Sequence, residues 1–235
     1  VETETLRRLA HAAADAYEPP DGSLILKDHL GQCRGFMKMY DVPEIYISGT
    51  NSRKDFLIDG KFLQVKTLTD GRIHGGFLTE FEDIQADIFD FVLSQKQRTV
   101  RVSGHSLGGA IATLLAVELA KDGFQVELVT LGSPRVGDAE FVETYGRCNI
   151  DHARIVHADD IVPRLPKLRY RHVCDPLHID SEGKIIGKVR GFFHWVWFID
   201  EILFSDLDGQ SINDHGVINY LIALERFLDT TGGSK

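Results

Sequence analysis

The sequence predicts an α/β fold, with a mainly parallel central sheet covered by helices on both faces. Two observations lead there. β-rich runs at 44–48, 99–103, 125–131 and 153–157 alternate with helical segments. The intervening segments are long enough for the crossover connections that parallel strands need. Length and composition agree: 235 residues, 43% hydrophobic and 26% charged, fit one compact domain spanning 1–235.

The elements follow in order. Leu6, Leu9 and Ala13 recur at helical spacing and predict a helix over 3–17, broken by Pro19, Pro20, Asp21 and Gly22. Residues 44–48 read as a strand that Gly49 ends. Phe77, Phe81, Ile84, Ile88 and Val92 make an apolar stripe, which predicts a long amphipathic helix over 76–95. A short strand over 99–103 runs at once into a helix over 106–121. Residues 137–147 read as a helix, and 170–187 as two strands around the turn at Asp180, Ser181, Glu182 and Gly183. The last 40 residues are expected to be mostly helical.

Charge narrows the partners. The net charge of −9, from 35 acidic and 26 basic side chains, argues against nucleic acid, which wants a basic face. Cys33, Cys148 and Cys174 show no metal-ligand spacing; one disulfide with a spare thiol, or three free thiols, fit equally. No apolar run reaches the length of about 18 residues that a transmembrane helix requires. The chain opens Val-Glu-Thr-Glu, neither a signal peptide nor an initiator methionine, as expected for a processed or trimmed product.

Residues 104–108 read Gly-His-Ser-Leu-Gly, a match to G-x-S-x-G. Alone this match is weak. Its context makes it specific, because Val100, Arg101 and Val102 precede it as a strand and 110–115 follow as a helix. Such a strand–turn–helix presents Ser106 on a sharp bend, where side chains two residues to either side would collide. Gly104 and Gly108 remove those side chains. The fold thus narrows to an α/β-hydrolase, with the helix N-terminus beneath the serine favouring a developing oxyanion. Adjacent residues on such a bend point apart, so His105 reads as a packing or hydrogen-bonding residue and not as a base.

A serine hydroxyl needs an imidazole to take its proton, and the imidazole needs a carboxylate to fix its tautomer. In this fold the chain order is Ser, then Asp or Glu, then His. The strand over 153–157 runs into Asp159 and Asp160, both placed for the acid. His172 and His178 lie in strand-like runs and His194 in an aromatic cluster. His215 opens the last helix, ahead of Val217, Ile218 and Leu221, and is the favoured base.

Four blocks then resemble the class 3 lipases, the group containing the filamentous-fungal triacylglycerol lipases. They are Ile47 to Ser52 with Asp55 and Phe56, Val102 to Gly109, Thr130 to Asp138, and Asp160 to Pro166. The resemblance implies Ser106 as nucleophile, Asp160 in preference to Asp159 as acid, and His215 as base. It assigns the oxyanion hole to the N–H groups of Thr50 and Leu107. It implies no metal or organic cofactor, a lipid or other ester substrate met at an oil–water interface, and secretion. Two departures are visible: Ser48 replaces a common arginine, and Asp138 a common asparagine.

The same resemblance implies a lid over 52–61, for which a surface helix is an equal account. The run from Phe192 to Phe204 holds both tryptophans and reads equally as an acyl groove or as core. Expected chemistry is hydrolysis of acylglycerols through an acyl-enzyme. A phospholipase A1, a galactolipase or a feruloyl esterase on the same scaffold is the alternative. A catalytically dead interaction domain is the alternative of another class.

Overall fold

The computed structural model describes residues 1–49, 64–66, 71–186 and 213–232. Seven strands form one sheet: β1 (Leu24–Lys27), β2 (Cys33–Met39), β3 (Pro43–Ile47), β6 (Thr99–His105), β7 (Gln125–Leu131), β8 (Ile150–His157) and β9 (Leu177–Ile179), in that spatial order. The pairings from β3 through β9 are parallel, and β1–β2 and β2–β3 are antiparallel. A separate ribbon pairs β4 (Gln64–Lys66) with β5 (Arg72–His74). Helices are α1 (Thr3–Asp15), α2 (Gly75–Leu93), α3 (Leu107–Lys121), α4 (Ala139–Arg147) and α5 (Val217–Gly232).

Both sheet faces are covered, and β6 and β7 are accordingly buried along most of their length. On one face, the α2 stripe of Phe77, Phe81, Ile84, Ile88 and Val92 packs with α3 against Val100, Val102, Val126 and Leu128. On the other, Leu6, Leu9 and Ala13 of α1 join Tyr220 and Leu224 of α5 over Tyr46, Val129 and Ile155. Helix α3 buries nearly its whole circumference, as expected for a helix apolar all round.

Two sequence expectations change. The region 170–187 holds one short strand, β9, with Ile185 meeting Ile179 only through an isolated bridge. The β1–β2 hairpin was not anticipated, because β1 is short and largely exposed and Gly35 interrupts β2. The 52–61 segment, residues 196–212 and 233–235 of the final 40, and 192–204 lie outside the described residues. The three cysteines are free thiols.

One polar cluster ties α4 to the sheet. His152 on β8 engages the Tyr145 hydroxyl through Nδ1 (2.8 Å) and the Thr130 hydroxyl through Nε2 (2.9 Å). Burial, reinforced by the charge of Arg154, pushes this imidazole down to about 3. In the unfolded chain it would titrate near its ordinary value of 6.5. Between these values the unfolded state binds the extra proton, so stability falls as pH drops from about 6.5 toward 3, by up to about 1.4 kcal/mol per unit for one such group. Urea unfolding followed from pH 7 to pH 4 should show that loss, and His152→Gln should shrink the slope.

Candidate active site

The site begins at the end of β6. Ser106 has φ 59° and ψ −127°, a left-handed conformation that side-chain-bearing residues rarely adopt. Its N–H donates to the Leu131 carbonyl at 2.9 Å, which anchors the bend to β7. The flanking glycines are obligatory. A Cβ on Gly104 would sit 2.3 Å from the Gly108 carbonyl oxygen, and one on Gly108 would sit 2.2 Å from that of Ile47. A Cβ on Gly109 would come within 2.8 Å of the Ser133 Cβ.

Across from the bend, His215 precedes α5 in the turn over 213–216. Its Nε2 is 2.7 Å from Ser106 Oγ, and its Nδ1 is 2.7 Å from Asp160 Oδ2. The carboxylate requires Nδ1 to carry the proton, which leaves Nε2 as the acceptor facing the serine hydroxyl. Asp160 is buried. Its Oδ2 also accepts from the Tyr220 hydroxyl at 2.6 Å, and its Oδ1 from the Val162 N–H at 2.9 Å. Asp159 points elsewhere and pairs with Arg164 at 3.0 Å. The structure therefore brings Ser106, His215 and Asp160 into one line. It holds His172 and His178 apart from that line, on the Pro163 and Ala158 carbonyls. His194 lies outside the described residues.

Leu107 opens α3, so its N–H is among the amides that no preceding helical turn can bond. Thr50 lies outside the described residues. The residue before it is tightly placed: a Cβ on Gly49 would come within 3.1 Å of the Ser106 Cβ.

Tyr220, His157 and Tyr17 carry no local sequence signal, and His105 was read only as a packing or hydrogen-bonding residue. Tyr220 lies on α5 and reaches Asp160 only because α5 packs over β8. His157 donates through Nδ1 to the Asp214 carbonyl at 3.0 Å. His105, buried, stacks on His215 with ring centroids 4.7 Å apart, and its Nε2 is 2.9 Å from the His215 carbonyl. A carbonyl only accepts, so Nε2 carries the hydrogen, and in the neutral ring Nδ1 accepts from the Tyr17 hydroxyl at 2.8 Å. The Tyr17 oxygen in turn accepts from the Gly49 N–H at 3.1 Å. A directed chain thus runs from the end of β3 through Tyr17 and His105 to the backbone of His215. The sequence did reveal that His105 is not positioned as a base.

The Thr130 to Asp138 block has structural reasons. Gly132 has φ 60°, and a Cβ there would meet Asp160 Oδ2 and the Tyr220 hydroxyl at 3.0 Å and His215 Cε1 at 3.1 Å. Arg135 N–H donates to the Leu165 carbonyl (2.8 Å), tying this block to the acid loop. Asp138 caps α4 by accepting from the Phe141 N–H at 3.0 Å.

Comparison with known proteins agrees with this architecture. A secreted mono- and diacylglycerol lipase 1 of Fusarium solani is 41% identical over 115 residues, covering 46% of this chain and 34% of that protein. A lipase of Rhizopus niveus is 33% identical over 165 residues, 63% of this chain and 42% of that protein. The crystal structure of a lipase from Rhizopus microsporus var. chinensis superposes with a TM-score of 0.63 at 27% identity, covering 76% of this chain and 72% of that one. The fold is that of an α/β-hydrolase, as the sequence predicts. The chain spans between a third and a half of the length of the curated relatives it matches. Residues 45–170, more than half of the chain, match the family described as Lipase (class 3), and the chain belongs to that family.

Proposed function

We propose that this chain hydrolyses carboxylic esters, acylglycerols foremost, with Ser106 as nucleophile, His215 as general base and acid, and Asp160 as its orienting carboxylate. The observation that carries the reading is the unbroken hydrogen-bonded line from Ser106 Oγ through His215 to Asp160, at 2.7 Å for each step. In the reaction, His215 Nε2 accepts the Ser106 proton as Oγ attacks the ester carbonyl. The resulting imidazolium is stabilised by Asp160, whose carboxylate stays ionised and is held by the Tyr220 and Val162 donors. The tetrahedral oxyanion is received by the N–H of Leu107, at the positive end of α3, and by that of Thr50. Support for Thr50 is the family resemblance and the close approach of Gly49 to Ser106. His215 then protonates the departing alcohol. That leaves Ser106 acylated; water, deprotonated by the same nitrogen, attacks the acyl carbonyl, and the bond to Oγ breaks as His215 returns the proton to it and the acid departs.

Acylglycerols are the favoured esters because the Fusarium solani relative is named a mono- and diacylglycerol lipase. The same name supports secretion. The intact line of side chains argues against an inactive interaction domain, which has no use for a buried Asp–His–Ser arrangement.

Ser106→Ala should lower turnover on the order of 10⁶-fold on an emulsified diacylglycerol or a chromogenic ester. A serine-reactive phosphonate should label the natural chain and spare the variant. Appreciable hydrolysis by the variant would sink the assignment. Feeding the enzyme a phospholipid alongside the acylglycerol separates the nearest alternative.

The chain through Tyr17 and His105 yields a second test. Tyr17→Phe removes the hydroxyl that links the Gly49 N–H to His105 Nδ1, a loss worth about 1 kcal/mol or more. We expect kcat to fall about tenfold with KM nearly unchanged, because the change misplaces reacting groups without touching a binding surface. A variant with natural kcat and only a lowered Tm would reduce Tyr17 to a structural role.

A further inference from the structure

A second cavity lies behind the loop that carries Asp160. A cavity of about 100 Å³ is lined by Arg135, Arg154, Asp160, Arg164, His172 and His178, with apolar residues between them. Its unusual member is Arg154 of β8, which is 6% exposed. Among the described residues its Nε donates to the Cys174 carbonyl at 3.0 Å and its side chain meets the Cys174 thiol, and no carboxylate among them pairs with it. Burying a guanidinium with only a neutral partner is costly, and its two outer nitrogens still carry four N–H donors.

The other cavity residues are already committed, in a pattern that defines what could fit. Arg164 is neutralised by Asp159 at 3.0 Å. Asp160 gives Oδ2 to His215 and Tyr220 and Oδ1 to the Val162 N–H. His172 Nε2 meets the Pro163 carbonyl at 2.6 Å, and His178 Nε2 meets the Ala158 carbonyl at 2.7 Å. Since carbonyls only accept, both rings carry their hydrogen on Nε2, and a neutral ring then offers Nδ1 as an acceptor. Burial, and for His172 next the charge of Arg154, lowers both imidazoles below their ordinary range. The cavity therefore combines an uncompensated cation with acceptors: two imidazole nitrogens and a carboxylate.

A simple anion suits only half of that lining, because the Asp160 carboxylate and the imidazole lone pairs repel it. An anion carrying its own proton suits all of it. Its oxygens accept from a guanidinium, and its O–H donates to an imidazole nitrogen or the carboxylate. The volume matches, being room for about three waters at roughly 30 Å³ each, or for one tetrahedral oxyanion. We propose that this cavity binds a small protonated oxyanion of the hydrogen phosphate type, held by Arg154 and donating its proton to the His172, His178 and Asp160 set. Bound there, it would brace four segments: the turn carrying Arg135, β8, the acid loop and β9. Asp160 is shared with the proposed triad, whereas Arg154, His172 and His178 are not.

The test is calorimetric titration and thermal unfolding of the full chain at pH 7. Sodium phosphate is compared with sodium sulfate, at ionic strength held constant with chloride. Phosphate should bind saturably with one site per chain and raise Tm along the corresponding linkage curve. Sulfate matches it in size and shape but carries no proton at that pH, and should bind at least tenfold more weakly. Arg154→Met should abolish the saturable response. Should that variant not fold, the phosphate–sulfate comparison on the natural chain decides by itself. Equal affinity for the two anions, or a non-saturating rise in Tm common to both, would be ordinary salt exclusion over a water-filled cavity and would overturn the proposal.

Discussion

Ser106 occupies a backbone conformation costing on the order of 1–3 kcal/mol, and most of the surrounding structure can be understood as what holds it there. The N–H of Ser106 is fixed to β7, and its carbonyl accepts from the Gly109 and Ala110 N–H groups as α3 begins. Helix α3 can start that abruptly only if its first turn slides against the sheet. This is why positions 104, 108 and 109 have no room for a Cβ. The apolar circumference of α3 then supplies the burial that keeps the strained bend from relaxing. Packing of a helix several turns long thereby sets the direction of a single hydroxyl.

The proposed base is held by a different device. His215 lies in a turn and gains no rigidity from a ladder or a helix interior. Two histidines supply it: His157 bonds the carbonyl of residue 214, and His105 bonds that of residue 215. Both come from the C-terminal ends of parallel strands, β8 and β6, so the turn is referenced to the sheet that also carries Ser106. Tyr17 extends the reference to Gly49 at the end of β3. The Ser106 bend, the His215 turn and the start of the proposed oxyanion segment thus share one frame, which suits the proposed reaction, sensitive as it is to small displacements.

What the sequence revealed and what it concealed divide along the range of the forces involved. Strands β3, β6, β7 and β8 were legible through their β-branched and aromatic residues, which pack against helices on the two faces. The elbow was legible because its glycines must lie within two residues of the serine. Strands β1 and β2 were not, since Leu24 and Ile25 are exposed and Gly35 interrupts the pattern. The alternation over 170–187 suggested two strands, yet His172 and Cys174 use their polar groups to bond the Pro163 carbonyl and Arg154. Polar anchoring of a loop imitates the period of a strand. Tyr17 and Tyr220 could not have been found, because each reaches its partner only through the docking of a whole helix. Thr50 enters only through resemblance to a family, and it lies outside the described residues.

The choice between Asp159 and Asp160 shows how narrow the margin of a sequence reading can be. Adjacent carboxylates at a strand end are chemically alike, and spacing alone left both open. Ala158 decides between them: its φ of 43° turns the chain out of β8 in a way a continued strand could not. Its N–H donates to the Ile179 carbonyl at 2.8 Å, so the kink is pinned by β9, the edge strand. After that kink Asp159 emerges toward Arg164 at the surface, while Asp160 turns inward beneath His215. The edge strand is therefore a working part of the site. By holding one left-handed residue, it determines which of two neighbouring carboxylates stands behind the imidazole.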